Sequence, residues 1–341
     1  MTNEQNQLRM SITIFKAGIL DSLQDGGRYG YAAQGINPGG VMDSFAADTA
    51  NFLVGNSNHE AVLELHFPAS QLFFKEDALI AVCGADLTPT VNNEAIPMWQ
   101  PVMVKRNTLL QFLKWNWGAR VYVAVQGGFK VQQWLNSYST NLKAAAGGHS
   151  GRMLAKGDVL PLRNTSEIIA KTIPADKDHL ALPWGVLDKR IYDQPEQILI
   201  LPGPEWMLLD NASKVALTTA AFTIDQRSDR MGSLLNGPSL QLQEPMEMVS
   251  SGVDFGTIQL LPEGRLMILM ADHQTTGGYP RIGSVITAHL PKLAQLLPGS
   301  SICFNLTDIA AAEQMLFSQM RDNSIIERSC RDHLTELYAR H

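Results

Sequence analysis

The sequence predicts a mainly β protein built from two β-rich domains with a few short helices. Short β-like runs separated by Gly, Pro and Asn recur through residues 11–163 and again from residue 197, a spacing typical of sandwiches and barrels. The 341 residues suffice for two cores at about 150 residues per domain. A polar stretch with three prolines separates the two halves.

The domain boundaries follow from these changes in composition. We predict an N-terminal domain at 11–163, a linker at 164–196, a C-terminal domain at 197–305 and a helical tail at 306–341. The linker lacks hydrophobic periodicity and is interrupted by proline, which is typical of connecting segments.

The predicted elements are mostly strands. They are Ser11–Phe15, Gln71–Phe74, Leu79–Val82, Pro101–Val104, Leu109–Leu113, Arg120–Val125, Gln197–Leu201, Thr257–Leu261, Leu266–Met270 and Ser301–Phe304. An early helix is predicted at Ser44–Val54, because Asp43 suits an N-cap and Gly55 a stop. A second is predicted at Leu290–Leu296, and Pro204 lies where a helix could start.

Charge and composition exclude several classes of protein. With 27 basic and 33 acidic residues the net charge is −6, which disfavours nucleic-acid binding. No apolar run reaches the roughly 18 residues of a membrane span. The polar N-terminus lacks the apolar core of a signal peptide, so we expect a cytoplasmic protein. Three scattered cysteines without CxxC spacing indicate neither a disulfide framework nor a metal site.

A glycine-rich segment at 22–56 is the first candidate site. Its glycines permit tight turns or close approach to a ligand, and Gln24, Asp25, Arg28 and Asp43 lie among them. The alternative is a turn-rich connection in which Asp25 and Arg28 form a structural pair and Asp43 is only a helix cap. Polar density in a long loop favours a site.

A second segment, at 136–162, carries small hydroxyl side chains. Ser137, Ser139 and Thr140 precede the run GGHSGR, which ends at Arg152. That run fails the G-x-S-x-G pattern of a nucleophile elbow, because Arg152 stands where the pattern needs its last glycine. A flexible loop that faces a ligand is the better interpretation, with a solvated loop as the alternative.

The third segment is the short run SDRMG. Asp229 and Arg230 lie between Ser228 and Ser233, and a guanidinium in such a setting can bind a carboxylate or a urea-like group bidentately. The alternative is a surface turn with an ion pair of little energetic weight.

The fourth segment has the strongest features of a site. An apolar strand ends in Asp272, His273, Gln274, Thr275 and Thr276, followed by two glycines. Polar side chains at the end of a buried strand are positioned by a rigid scaffold.

Motifs for self-contained cofactor chemistry are missing from the sequence. It has no P-loop, no GxGxxG, no HExxH and no biotin-acceptor AMKM. We therefore expect no resident metal and no covalent biotin.

Together these segments resemble the family of the 5-oxoprolinase C subunit, also called KipA-like or allophanate hydrolase subunit 2 and described broadly as biotin-dependent carboxyltransferase. The resembling runs are LQDGGRYG (23–30), GGVMDSFAADTANFLVGN (39–56), VYVAVQGGF (121–129), GRMLAKGDVLPL (151–162), LPGPE (201–205), SDRMG (228–232), GTIQLLPEG (256–264) and MADHQTTGGYP (270–280). They occur in order and at family-like spacing.

The resemblance implies two cyclophilin-like β-barrel domains and a role in a complex. It implies that the chain is the C subunit of an ATP-dependent 5-oxoprolinase-type complex, which opens 5-oxoproline to glutamate together with an A subunit and a KipI-like B subunit. The chain would be inactive alone, and the resemblance does not locate the ATP site in it. Two alternatives stay open: a carboxyltransferase component that moves a carboxyl group from carboxybiotin to a urea-like amide, and a non-enzymatic antagonist of a KipI-like partner.

Site residues carry over position by position. The resemblance implies catalytic roles for Asp25, Arg28, Asp229, Arg230 and Asp272. It implies substrate binding by Gln24, Asp43, Ser139, Thr140, Arg152, Ser228, Gln274, Thr275 and Thr276. We expect the arginines to bind an anion or carbonyl and the aspartates to orient groups or accept protons. Relatives usually read GSRST where this chain has Asn136-Ser137-Tyr138-Ser139-Thr140, so a glycine and an arginine are missing.

Overall fold

The computed structural model describes residues 10–163, 172–187, 190–244 and 246–339. Its strands are β1 (Ser11–Lys16), β2 (Ser22–Gln24), β3 (Val62–His66), β4 (Gln71–Phe74), β5 (Ala78–Asp86), β6 (Pro89–Val91), β7 (Glu94–Ala95), β8 (Pro101–Val104), β9 (Thr108–Phe112), β10 (Trp117–Val125), β11 (Val159–Pro161), β12 (His179–Ala181), β13 (Gln197–Pro202), β14 (Ala221–Ile224), β15 (Gly232–Asn236), β16 (Ser251–Gly252), β17 (Thr257–Leu260), β18 (Leu266–Leu269), β19 (Thr276–Gly277), β20 (Arg281–Val285) and β21 (Ser301–Leu306). Its α-helices are α1 (Ser44–Leu53), α2 (Asn211–Thr219), α3 (Leu290–Ala294) and α4 (Ile309–Ala339).

The chain forms two compact units. The N-terminal unit comprises residues 1–27, 43–188 and 321–341, and the C-terminal unit comprises 28–42 and 189–320. Of the predicted linker, residues 164–171 and 188–189 lie outside the described residues. Within the described part, β12 pairs antiparallel with β8, so this stretch of the predicted linker adds a strand to a sheet.

The N-terminal unit is built from two six-stranded sheets. Their strand orders are β11-β1-β4-β9-β6-β7 and β12-β8-β5-β10-β3-β2. The inner strand β5 is an apolar run that is buried along almost its whole length, whereas β9 alternates between buried and half-buried residues, as expected for a strand with one side on the core. The core includes Ile12, Leu63, Val82 and Phe129.

Helix α1 begins where its cap residue predicts. The Asp43 side chain accepts a hydrogen bond from the Ala46 backbone N–H at 3.0 Å, which satisfies one of the free N–H groups of the first turn. Its buried side includes Phe45, Ala50 and Leu53. The predicted helix and its N-cap are confirmed.

The C-terminal unit contains a closed seven-stranded barrel. Its strand order is β13-β20-β17-β18-β15-β14-β21, and the parallel pairing of β13 with β21 closes it. Phe222 and Phe304 pack in its core with ring centroids 5.6 Å apart. The mainly β prediction is confirmed, and the closed barrel lies in this unit.

Two further helices are found in the second half of the chain, one of them not predicted from the sequence. Helix α2 was not predicted; it begins after Asp210, whose side chain accepts from the Ser213 N–H at 2.6 Å. The tail forms the single helix α4, and toward its C-terminal end Leu334 is buried. There His333 stacks on Trp184 of the same unit, with centroids 5.2 Å apart. None of the helices in the described ranges is both long and apolar enough to cross a membrane.

Candidate functional site

Asp25 is the centre of a buried polar cluster in the N-terminal unit. Its Oδ1 accepts hydrogen bonds from the Ser137 and Ser139 hydroxyls at 2.7 and 2.6 Å and from the Gly27 N–H at 2.8 Å. Its Oδ2 accepts from the Tyr138 N–H. We call these residues the Asp25 cluster. A carboxylate held by so many donors is positioned rigidly.

Two further predicted residues border the Asp25 cluster. The Thr140 hydroxyl donates to the Leu23 carbonyl at 2.9 Å, and Gln24 Nε2 donates to Ser22 Oγ at 3.0 Å and to the Thr140 carbonyl at 3.3 Å. Among the described residues, nothing donates to the buried Oε1 of Gln24. A buried acceptor without a donor costs about 1–3 kcal/mol, so this oxygen is a candidate to accept a hydrogen bond from a ligand or water.

Asp43 connects the cap of α1 to a second buried polar group. Its backbone N–H donates to the Tyr122 hydroxyl at 2.9 Å, and that hydroxyl donates to Glu64 at 2.8 Å. Burial, with the nearby carboxylates of Glu64 and Asp43, raises the pKa of Tyr122 well above its ordinary value. The hydroxyl therefore stays protonated and remains a donor to Glu64.

Arg230 and Asp272 form a buried ion pair in the C-terminal unit. Arg230 Nε donates to Asp272 Oδ2 at 2.8 Å, and Nη2 donates to Oδ1 at 3.1 Å. The same Nη2 donates to the Gly40 carbonyl at 2.6 Å. Only 7% and 15% of the two side chains are exposed, so the pair combines bidentate geometry with low solvent screening.

Arg28 belongs to the same neighbourhood. Its side chain is almost wholly buried, and its backbone N–H donates to the Pro38 carbonyl at 2.8 Å. A Cβ placed on Gly39 would lie 3.0 Å from Arg28 Nη1 and 3.5 Å from Asp272 Oδ1. Because Gly39 also has a φ of 60°, glycine lets the backbone approach both charged groups. Arg28, Gly39, Gly40, Arg230 and Asp272 are the Arg230–Asp272 site.

Ser228 and Asp229 stabilise the turn that precedes Arg230. Asp229 Oδ1 accepts from the Met231 and Gly232 N–H groups at 2.7 and 3.2 Å, and Ser228 Oγ accepts from the Leu234 N–H at 3.1 Å. The guanidinium of Arg230 thus pairs with Asp272, which is distant in sequence, and the adjacent Asp229 shapes the turn.

The remaining residues of the fourth segment lie beyond Asp272. Gln274 and Thr276 are exposed and Thr275 is half-buried. The Thr275 carbonyl accepts from the Val253 N–H at 3.2 Å, and the buried His273 bonds the Gln274 carbonyl through Nδ1 at 2.6 Å. The exposed side chains of Gln274 and Thr276 are therefore accessible to a ligand.

The guanidinium of Arg152 forms an ion pair with Asp158, a residue of the same loop. Its two Nη groups bond the carboxylate of Asp158 at 2.7 and 2.8 Å. Hydrogen bonds from Arg152 lower the pKa of Asp158 to about 2. The Arg152 side chain is 47% exposed, so this ion pair lies at the surface.

The structure therefore groups the predicted residues into two sets. Gln24, Asp25, Ser139 and Thr140 come together in one unit, and Arg28, Arg230 and Asp272 in the other. The buried pair of Glu64 and Tyr122 was not predicted, although a glutamate inside the apolar strand β3 was a signal for it. The described residues contain no group of three or more His, Cys, Asp or Glu side chains suited to a metal ion.

The chain is similar in sequence to a known protein family and to individual proteins. Residues 34–306 match the family model described as carboxyltransferase domain, subdomain A and B. The chain is 34% identical to the 5-oxoprolinase C subunit of Haemophilus influenzae over 295 residues, covering 86% of this chain and 90% of the relative. It is 33% identical to that of Escherichia coli over 293 residues, with the same coverage of 86% and 90%.

A solved structure is also similar. The urea amidolyase of K. lactis superposes with a TM-score of 0.81 at 26% identity, covering 93% of this chain. The chain spans only 20% of that larger protein. With a family model that matches from residue 34 to residue 306, the chain belongs to the carboxyltransferase family of subdomains A and B, and the predicted resemblance to the 5-oxoprolinase C subunit is confirmed.

Proposed function

We propose that this chain is the C-subunit component of an ATP-dependent 5-oxoprolinase-type complex, which opens 5-oxoproline to glutamate. The observation that carries the proposal is the convergence at the Arg230–Asp272 site. Its residues come from four of the runs that resemble the family, and Arg230 and Gly40 are 190 positions apart in sequence. The similarity to the C-subunit relatives extends along 90% of their length.

The site suits an amide-like substrate. Ring opening of a lactam requires a donor for the carbonyl oxygen as negative charge develops on it, and guanidinium groups in a water-poor site stabilise such charge. In this proposal Arg28 and Arg230 supply the positive charge. Asp272 holds Arg230 in place, accepts a proton from the attacking water, and returns it to the ring nitrogen as the C–N bond of the lactam breaks.

Nucleotide and partners belong to the rest of the proposed complex. The chain has no Gly-rich phosphate loop with a lysine, so we assign ATP to the counterparts of the A subunit and the KipI-like B subunit. We expect no covalent biotin on this chain, and a cytoplasmic location remains a prediction.

Reconstitution tests the proposal. The purified chain alone should form no glutamate from 5-oxoproline and ATP, whereas adding the A and B counterparts should give ATP-dependent turnover. Substantial turnover by the lone chain would contradict the proposed partnership. An assembled but inactive complex would contradict the proposed reaction and favour a regulator that only binds its partner.

Carboxyl transfer to a urea-like amide is the second candidate. It is favoured by the family description and by 29% identity over 315 residues to the urea amidolyase of Lachancea kluyveri, of which the match covers 17%. We rank it second because the C-subunit relatives are both more similar and of comparable length. Biotin-dependent carboxylation of urea by the reconstituted complex, without 5-oxoproline turnover, would reverse this order.

A further inference from the structure

An apolar groove lies in the C-terminal unit, outside the Arg230–Asp272 site. It has a volume of about 680 Å³ and is lined by Leu242, Met246, Met248, Leu261 and Tyr279, among others. Met246 and Tyr279 are 50% and 41% exposed. Methionine side chains adapt to the shape of a partner and recur at binding surfaces, so this lining is typical of a binding surface.

One wall of the groove has unpaired backbone groups. In the described chain, no backbone N–H or carbonyl of residues 246–249 has a hydrogen-bond partner, and none of these residues is in a helix or strand. Val249, which follows the lining residue Met248 in sequence, is 88% exposed. Four consecutive unpaired peptide units beside an apolar groove can pair with an added strand, because main-chain bonds then supply affinity and the groove accepts a side chain.

The charge of the groove limits what can occupy it. Glu247 is among the residues that line it, and Lys and Arg are absent from the described lining. Glu247 is exposed and has no hydrogen bond or ion pair within the described residues. A carboxylate here would repel the carboxylate of 5-oxoproline, so the groove does not suit the proposed substrate, whereas a lysine or arginine would be attracted.

We propose that this groove binds an extended segment of another protein chain, in which an apolar residue lies next to a lysine or arginine. The apolar side chain enters the groove between Met246 and Tyr279. The basic side chain pairs with Glu247, and the segment backbone bonds residues 246–249. The proposal stands on this surface alone and does not depend on the proposed reaction.

Selection of peptides on the full-length chain tests the proposal. A displayed library of random decapeptides is selected on the wild-type chain and counter-selected on the Glu247→Lys variant. We expect enriched sequences to combine an apolar residue with an adjacent Lys or Arg. A synthetic peptide of the enriched sequence should bind the Glu247→Lys chain at least about tenfold more weakly, and Glu247→Gln less severely. The matched control Glu313→Lys, an exposed carboxylate on α4, should bind within about twofold of the wild type.

Amide hydrogen exchange provides a readout of the backbone pairing. Residues 246–249 should exchange quickly in the free chain, and alternate amides among them should become protected in the peptide complex, because strand pairing uses every second residue. Three results would each overturn the proposal: no peptide that depends on Glu247, enrichment of acidic sequences, or binding without protection of these amides. Binding of small cationic compounds alone would also overturn it, by making the groove a small-molecule site.

Discussion

Arg230 donates to both oxygens of Asp272 and to the Gly40 carbonyl, so this side chain both holds the local structure and carries the proposed chemistry. Truncation to alanine would leave Asp272 as a buried charge without its partner, which costs about 3–5 kcal/mol. An inactive Arg230→Ala variant could therefore have lost its stability, its catalytic group, or both. A substitution that keeps the positive charge distinguishes the loss of stability from the loss of catalysis.

We expect Arg230→Lys to retain most of the stability and to lose most of the activity of the reconstituted complex. A lysine can pair with Asp272 but lacks the planar fork that also reaches Gly40. The loss in kcat/KM should be at least about 30-fold, equivalent to about 2 kcal/mol. Arg281→Lys is the matched control, because Arg281 makes a similar bidentate pair with Glu205 at 2.9 and 3.1 Å. Equal activity in both lysine variants would give Arg230 a purely structural role.

Asp25 behaves differently, since the donors that surround it already use both carboxylate oxygens. We expect Asp25→Asn to destabilise the fold by about 2 kcal/mol or more, because the amide NH₂ would face a donor and leave buried groups unsatisfied. Urea denaturation with an unchanged m-value measures this loss. Ser22→Ala, which removes a single neutral acceptor of Gln24 in the same region, is the control and should cost less. A stable Asp25→Asn chain that is nevertheless inactive would shift Asp25 from a structural to a catalytic role.

Residues 136–140 depart from the GSRST pattern of the family resemblance at two positions, Asn136 and Tyr138. Asn136 stands where the family resemblance leads us to expect glycine, and it adopts a φ of 61°, a left-handed conformation that asparagine tolerates better than most residues. Tyr138 stands where the resemblance leads us to expect arginine. Its backbone N–H donates to Asp25, and its ring centroid lies 4.9 Å from the Arg163 guanidinium. The sequence alone explains why asparagine is tolerated at position 136. It does not predict that Arg163 lies over the Tyr138 ring.

At the scale of elements, local signals predicted ten of the 21 described strands and helix α1, because hydrophobic runs and a capping aspartate are encoded within a few residues. Helix α2 was not predicted, since its sequence NASKVALTT has little apolar periodicity and only Ser213 and Leu217 are buried in it. The partner of Arg230 was missed for a different reason. Asp229 is adjacent in sequence, but the pairing of β15 with β18 from Gly232↔Leu269 onward brings Asp272 to the guanidinium.

Helix α1 carries a group that titrates near neutrality. Burial, with contributions from Asp43 and then Glu327, raises the pKa of Asp48 to about 7. A carboxyl whose folded pKa is raised contributes its full stability below the unfolded value of about 3.9 and loses it as the pH rises through about 7. The wild-type free energy of unfolding should therefore fall between these two pH values because of this group.

We expect Asp48→Asn to abolish that fall, since asparagine does not ionise. The variant should be more stable than the wild type by about 1–3 kcal/mol at about pH 8 and close to it at about pH 4.5. Chemical denaturation at several pH values measures the difference. Glu327→Gln should recover a smaller part of the gain, because it removes only one of the carboxylates that raise this pKa. Parallel pH profiles for wild type and Asp48→Asn would contradict the assignment.

At the scale of the whole molecule, the sequence places the two β-rich regions in order but does not reveal how the chain divides between them. Residues 28–42 belong to the C-terminal unit although they precede most of the N-terminal unit. No local pattern encodes this, because it depends on contacts between residues far apart in sequence, such as Met42 in the barrel core and the Gly40 carbonyl on Arg230. The parallel closure of the barrel by β13 and β21 is similarly non-local.

This division predicts which fragment of the chain can fold. A fragment of residues 189–320 contains every barrel strand but lacks Met42, which is only 1% exposed in the core, and lacks the Gly40 acceptor. Loss of a buried methionine side chain costs about 2–5 kcal/mol, so we expect the fragment alone to unfold at lower temperature than the same fragment fused through a Gly/Ser linker to residues 28–42. Thermal unfolding followed by near-UV circular dichroism measures the difference.

A fusion that carries Met42→Ala is the matched control and should lose a large part of the gain, because it keeps the Gly40 carbonyl but not the buried side chain. Equal melting temperatures for the fragment and the fusion would show that residues 28–42 add nothing to the stability of the barrel.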